Sequence, residues 1–237
     1  MQSQALILRA GELKENDRLI TALTKEYGLL TAFANGAKKP KSPLHGATQC
    51  YAHGVYEFSR RRDTYTVTDA RADGVFFVGL AADLTRLALA GYFSVLCAEL
   101  CPRDEPAPEH LRLALNALHF LSTGLRPQPL LKTVMELRLL CLAGYQPDLD
   151  GQGAYLDCRK GVLVPNAGQG KVLLTPPVME AMRFICDAPL ERAFRFALPE
   201  ERLQALSFAS QTYLQHQTGR RFDELAFYEG LAATQTL

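Results

Sequence analysis

Side chains that can do covalent chemistry are few in this chain, and they do not cluster. Asp148, Asp150 and Asp157 share one glycine-rich loop and are the candidates for holding Mg²⁺ in a nuclease-like reaction. Aspartates in such a loop also accept backbone N–H bonds in turns, which is the simpler reading. His45, His53, His110, His119 and His216 are dispersed, with no nucleophile or ligand partner nearby in sequence. Cys97 and Cys101 lie one helical turn apart without a histidine beside them, and none of the six cysteines forms CxxC, so all read as reduced thiols, mostly in the core. Phosphate-binding GxxxxGK[ST], GxGxxG, HExxH and GxSxG motifs are all missing. The sequence therefore predicts no catalytic centre, no cofactor and no metal.

Binding chemistry is better represented. Lys38, Lys39 and Lys41 surround Pro40 just after an apolar run, and Arg60, Arg61 and Arg62 follow about one hairpin later. Between Tyr27 and Arg62 these six cations face Glu57 alone, a net of +5 in a chain whose total is +1. Cations of this kind in loops neutralise phosphates, and each such pairing releases counterions. Lys14 and Arg18 are lesser candidates for the same role. Phe33, Tyr51, Tyr56, Phe58 and Tyr65 lie close by; they read as core, with base stacking as the alternative.

The elements that must position these residues are short strands. Ala5–Leu8, Asp17–Thr24 and Leu29–Ala34 are apolar or alternating runs, the last two joined by a Lys25–Gly28 turn. Val55–Phe58 and Thr64–Thr68 make a second hairpin with Ser59–Asp63 at its tip. Five strands without intervening helices predict a small closed barrel of the oligonucleotide-binding (OB) type. From Asp83 the period becomes helical, with stripes up to Pro102, over Glu109–Thr123 and over Pro129–Ala143, and further helices after Pro176 and Pro199. Tyr145–Thr175 interrupts them with glycines, prolines and two short strand-like runs. The fold class expected is thus α+β: an OB-type barrel over 1–78, a helical bundle over 79–144 and 176–237, and an irregular insertion over 145–175.

Composition agrees with a folded globular chain, 48% hydrophobic and 22% charged over 237 residues. No apolar run reaches the roughly 18 to 20 residues that span a bilayer, and the N-terminus lacks a signal-peptide pattern, so the expectation is a cytoplasmic protein with no membrane partner. Residues 1–78 carry 11 basic and 8 acidic side chains, a net of +3, and the remainder a net of −2, which assigns the polyanion-binding surface to the N-terminal part.

Four stretches, ALILRAGELKENDRLITALTKEYGLLTAFANGAKKPKS, LTRLALAGYFSVLCAEL, LLKTVMELRLLCLAGYQPDLD and TYLQHQTGRRFDEL, resemble the RecO recombination-mediator proteins of bacterial DNA repair. The resemblance implies an OB domain, a helical domain and an element after Gly144-Tyr145 that in many members carries a four-cysteine zinc site. Here Gly151-Gln152-Gly153-Ala154 and Val164 replace the cysteines and Cys158 stands alone, so the insertion is expected to be zinc-finger-like but metal-free, held by packing. The resemblance further implies a nucleoid-associated, non-enzymatic protein that binds single- and double-stranded DNA and anneals complementary strands. It would engage the acidic tail of single-stranded-DNA-binding protein (SSB), with Lys132 and Arg138 as candidate cations, and work with RecR to load RecA. A second reading makes the barrel chiefly a docking module for RecR.

Overall fold

Alternation of small apolar and polar residues builds the N-terminal barrel. A computed structural model of the chain describes residues 1–13 and 15–235, and Lys14 lies outside them. β1 (Gln2–Glu12), β2 (Arg18–Thr24), β3 (Gly28–Ala34), β4 (Ala52–Arg61) and β5 (Thr64–Val75) close in the order β1-β2-β3-β5-β4. All neighbours run antiparallel except β3 and β5, which are parallel. Period-2 alternation turns Ile20, Ala22, Leu30, Ala32, Tyr56 and Phe58 into the interior. A short α1 (Leu44–Ala47) adds Leu44 and Ala47 to this core, and the Tyr56 hydroxyl donates to the Ala47 carbonyl at 2.6 Å.

Three strands extend beyond the sequence reading. β1 continues through Glu12, although its end is polar, because backbone pairing with β2 runs on to Glu12↔Arg18. β5 continues to Val75, paired with Ala52 of β4. β4 includes Ser59, Arg60 and Arg61, paired with Thr66, Tyr65 and Thr64, so the hairpin tip shrinks from Ser59–Asp63 to Arg62-Asp63. Charge does not end a strand whose outer face meets water.

α2 (Phe77–Ala81), α3 (Leu84–Leu100) and α4 (Pro108–Thr123) follow and belong with the barrel to one compact unit, Met1–Thr123. Asp83 caps α3, accepting from the Thr85 amide at 2.8 Å and its hydroxyl at 2.7 Å, and the hydroxyl bond foremost holds its carboxyl below the usual range. α4 packs against β1 and β2, and the outward-facing Leu6, Leu23 and Leu29 at that end of the barrel are buried.

Gly124–Leu237 forms the second unit. Its axis is α5 (Gln128–Leu142), whose leucines Leu130, Leu131, Leu137, Leu139 and Leu140 are all buried, packed on α6 (Pro176–Asp187) and α8 (Glu200–Thr218). The short α7 (Leu190–Ala193) and the closing α9 (Asp223–Gln235) complete the helices. Residues 145–175 hold three strands where two were expected: β6 (Tyr155–Asp157), β7 (Val162–Val164) and β8 (Lys171–Leu173), in the order β7-β6-β8. α8 supports this sheet through Gln217, which donates to the Cys158 carbonyl at 2.8 Å. The residues present do not fit a four-thiolate zinc site: Cys158 is fully buried with its thiol toward the Leu156 carbonyl, and a side chain at Gly153 would collide with the Val164 backbone. Among the described residues no group of three or more His, Cys, Asp or Glu could hold a metal, and no helix is long and apolar enough to cross a membrane.

Candidate nucleic-acid interface

With Ile20, Ala22, Leu30, Ala32 and Ala34 pointing inward, Leu19, Thr21, Thr31 and Phe33 must point out. They line up across strands. One row of partners runs Gly11, Leu19, Phe33, Thr66, Ser59; beside it Arg9, Thr21 and Thr31 are paired, as are Thr64 and Arg61. The outer face of β2, β3 and β5 therefore sets Phe33, half-buried beside its partner Leu19, among threonine, serine and glycine. An OB barrel presents this strand 2–3 face, with the β1–β2 and β4–β5 loops, to oligonucleotides.

The two basic clusters flank Phe33 along the strand axis. β5 starts beside β3 with Tyr65 level with Ala32, so the β4–β5 tip lies toward the Gly28 end. Lys38, Lys39 and Lys41 lie beyond Ala34, at the other end. Their loop is fastened to the β1–β2 loop: the Lys38 amide donates to the Asn16 carbonyl at 3.0 Å and the Gly36 amide to Asp17 Oδ1 at 2.8 Å.

The candidate cations separate into two kinds. Lys39, Lys41, Arg61 and Arg62 are exposed, and their side chains have no ion-pair partner among the described residues. Others are engaged. Lys38 Nζ is 3.0 Å from Glu12 Oε1, and Arg18 Nη1 donates to the His45 carbonyl at 2.8 Å and Thr48 Oγ1 at 2.9 Å, fixing α1 to the barrel. Arg60 lies over the Tyr65 ring, 5.2 Å from its centroid, with Nη1 3.4 Å from Asp104 Oδ1. Lys14 is outside the described residues.

Of the nearby aromatics, Tyr51, Tyr56, Phe58 and Tyr65 are buried, as core residues should be. Phe33 alone of the five is left for stacking, which the apolar run around it concealed. Arg9, on the same outer face, was not a sequence candidate; only the β1–β2 register, shifted by a bulge between Ile7 and Arg9, brings it beside Thr21.

The remaining sequence candidates serve the scaffold. Asp148 Oδ1 accepts from the Asp150 amide at 3.0 Å, and Asp157 Oδ1 from the Arg159 and Lys160 amides at 3.1 and 3.2 Å, so both carboxylates are turn residues. Lys132 is buried at 2% exposure against Glu136, and Arg138 Nη1 donates to the carbonyls of Ile185, Cys186 and Ala188 at the end of α6. Lys132 therefore offers nothing to an acidic tail at the surface.

Comparison with known proteins agrees with this architecture in both halves. Residues 1–75 match the family model for the recombination protein O N terminal, and residues 81–226 that for its C terminal. The chain is 26% identical to the DNA repair protein RecO of Acetivibrio thermocellus, over 98% of this chain and 97% of that protein. It is 27% identical to the RecO of Symbiobacterium thermophilum over 97% of each. With that of Heliobacterium modesticaldum it shares 35% identity over 70% of this chain and 59% of that protein. A barrel matched by one half of the family's description and helices matched by the other leave one conclusion: this chain belongs to the RecO family of DNA repair proteins.

Proposed function

We propose that this RecO-family chain is a non-enzymatic recombination mediator. It binds single- and double-stranded DNA, anneals complementary strands, and with RecR helps to load RecA onto DNA coated by SSB, whose acidic tail it engages. The observation that carries the DNA-binding step is the pair of exposed basic clusters, Lys39 with Lys41 and Arg61 with Arg62, on either side of the open Phe33 face. Lys38, Arg60 and Arg18 join as secondary contacts, each after exchanging an intramolecular partner, and Lys14 is a further candidate by its place in the sequence. Annealing needs two polyanions brought together by neutralisation and involves no covalent step, which suits basic loops on a rigid barrel.

The test is annealing of complementary oligonucleotides, bare and SSB-coated, with and without RecR, at several salt concentrations. Wild-type protein is expected to accelerate both reactions with a steep salt dependence. Replacing Lys39, Lys41, Arg61 and Arg62 by Ala should remove the acceleration and leave the fold intact. Were the variant to anneal as fast as wild type, the DNA contact would lie elsewhere and the barrel would serve as the docking module for RecR.

A further inference from the structure

An acidic side chain intrudes on the basic hairpin. Asp104 lies between α3 and α4 with φ +57°, a left-handed conformation uncommon outside glycine and asparagine or aspartate, and one that its surroundings here enforce. The enforcement is visible. The Leu29 amide donates to the Pro102 carbonyl at 2.8 Å, the Ala107 amide donates to the Lys25 carbonyl at 2.8 Å, and Gly28 bridges to Arg103. A Cβ at position 28 would come within 2.3 Å of the Pro102 oxygen, so the segment lies flush on the barrel. The Asp104 carboxylate is thus delivered by a fixed strap. Its Oδ1 accepts from the Tyr65 hydroxyl at 2.6 Å and lies 3.4 Å from Arg60 Nη1, completing a clasp in which Arg60 also covers the Tyr65 ring. The carboxylate bond in turn holds the Tyr65 phenol above its ordinary range.

We propose that Asp104 is an internal phosphate surrogate: it occupies the anion position that Arg60 offers, and a backbone phosphate of a bound single strand gains Arg60 only by displacing it. This rests on the DNA-binding reading above and adds selectivity to it. The clasp is partly solvated, with Arg60 and Asp104 side chains 44% and 60% exposed, so it is weak enough to open. An isolated small anion gains little by the exchange. A polyanion already held by Arg61 and Arg62 presents its next phosphate at high local concentration and completes it. Asp104 therefore biases the hairpin against lone anions and toward continuous strands.

The experiment is a fluorescence-anisotropy titration of the full chain with a labelled oligo(dT) at several salt concentrations. Asp104→Asn removes the charge and keeps a residue that tolerates the left-handed conformation. It is expected to tighten binding about two- to fivefold, the scale of an exposed ion pair. Its log–log salt slope should steepen by about 0.7, one phosphate on a single strand. Tyr65→Phe, which frees the carboxylate from its hydroxyl, should move affinity the same way by less. Asp63→Asn, at the tip of the same hairpin and without an ion-pair partner among the described residues, is the control for charge alone and should leave the slope unchanged. In an Arg60→Ala background the Asp104→Asn gain should vanish. A gain equal to that of Asp63→Asn, a gain that persists without Arg60, or weaker binding at an unchanged unfolding midpoint would each overturn the surrogate. Wild-type binding without salt dependence would instead overturn the DNA reading beneath it.

Discussion

Four cations of the barrel rim and two cations of helix α5 are put to opposite use. Arg61 ends β4 and Arg62 follows it at the hairpin tip, Lys39 and Lys41 sit in a loop beside proline, and all four end in solvent. Lys132 and Arg138 sit on α5, which is apolar on nearly every side, and both are drawn to internal acceptors. Lys132 Nζ is 3.0 Å from Glu136 and donates to Ser207, while Ser210 donates to the same Glu136 carboxylate. Arg138 holds the last carbonyls of α6. A buried ammonium must be paired and hydrogen-bonded, whereas one at a turn has no such need. The local backbone, more than the number of charges, decides which cations a partner can reach.

The largest effect that would break this contrast is expected in the helical unit. Lys132→Met removes the ammonium that neutralises the buried Glu136 carboxylate, and should cost about 3–5 kcal/mol of stability by denaturant titration. The double variant with Glu136→Leu should recover most of that loss. Were Lys132→Met neutral, the inward cations would be incidental rather than structural. Second in size, Gly28→Ala places a methyl against the Pro102 carbonyl at φ +62° and should cost about 2 kcal/mol or more, tracked by thermal melting. It tests whether the barrel is held rigidly enough to aim its loops.

The smallest effect concerns pH and belongs to the barrel-containing unit. Burial holds the imidazoles of His53 and His110 below their ordinary value. The unfolded chain then takes up protons first as pH falls, so stability is full above about 6.5 and is lost as pH drops from there toward the folded values. Unfolding titrations at pH 7.5 and 5.5 should show the decline, and His110→Leu should flatten it.

Much of the barrel was legible because each strand carries its own alternation, and the helices because their leucines recur at helical spacing. The ends of β1 and β4 were not, since Arg9, Gly11, Arg60 and Arg61 lack apolar character and are strand only by pairing across the sheet. β8 escaped although it is as long as β6 and β7, because its Val172-Leu173 runs on through Leu174 into the prolines that open α6, with no turn to set it off. At the candidate site the charges themselves could be read. Which of them are spoken for could not: Lys38 to Glu12, Arg18 to His45 and Arg60 to Asp104 are joined by the fold across long stretches of sequence. Phe33 reads as core from its apolar neighbours, and only the period-2 register turns it outward.

The central claim is that the four exposed rim cations form the DNA-contacting surface. It is tested most directly by the salt dependence of single-stranded DNA binding for wild type and the Lys39, Lys41, Arg61, Arg62 to Ala variant. The slope should flatten by up to about 2.8, some 0.7 for each phosphate no longer neutralised, with no change in unfolding midpoint. An unchanged affinity and slope in the folded variant would contradict it.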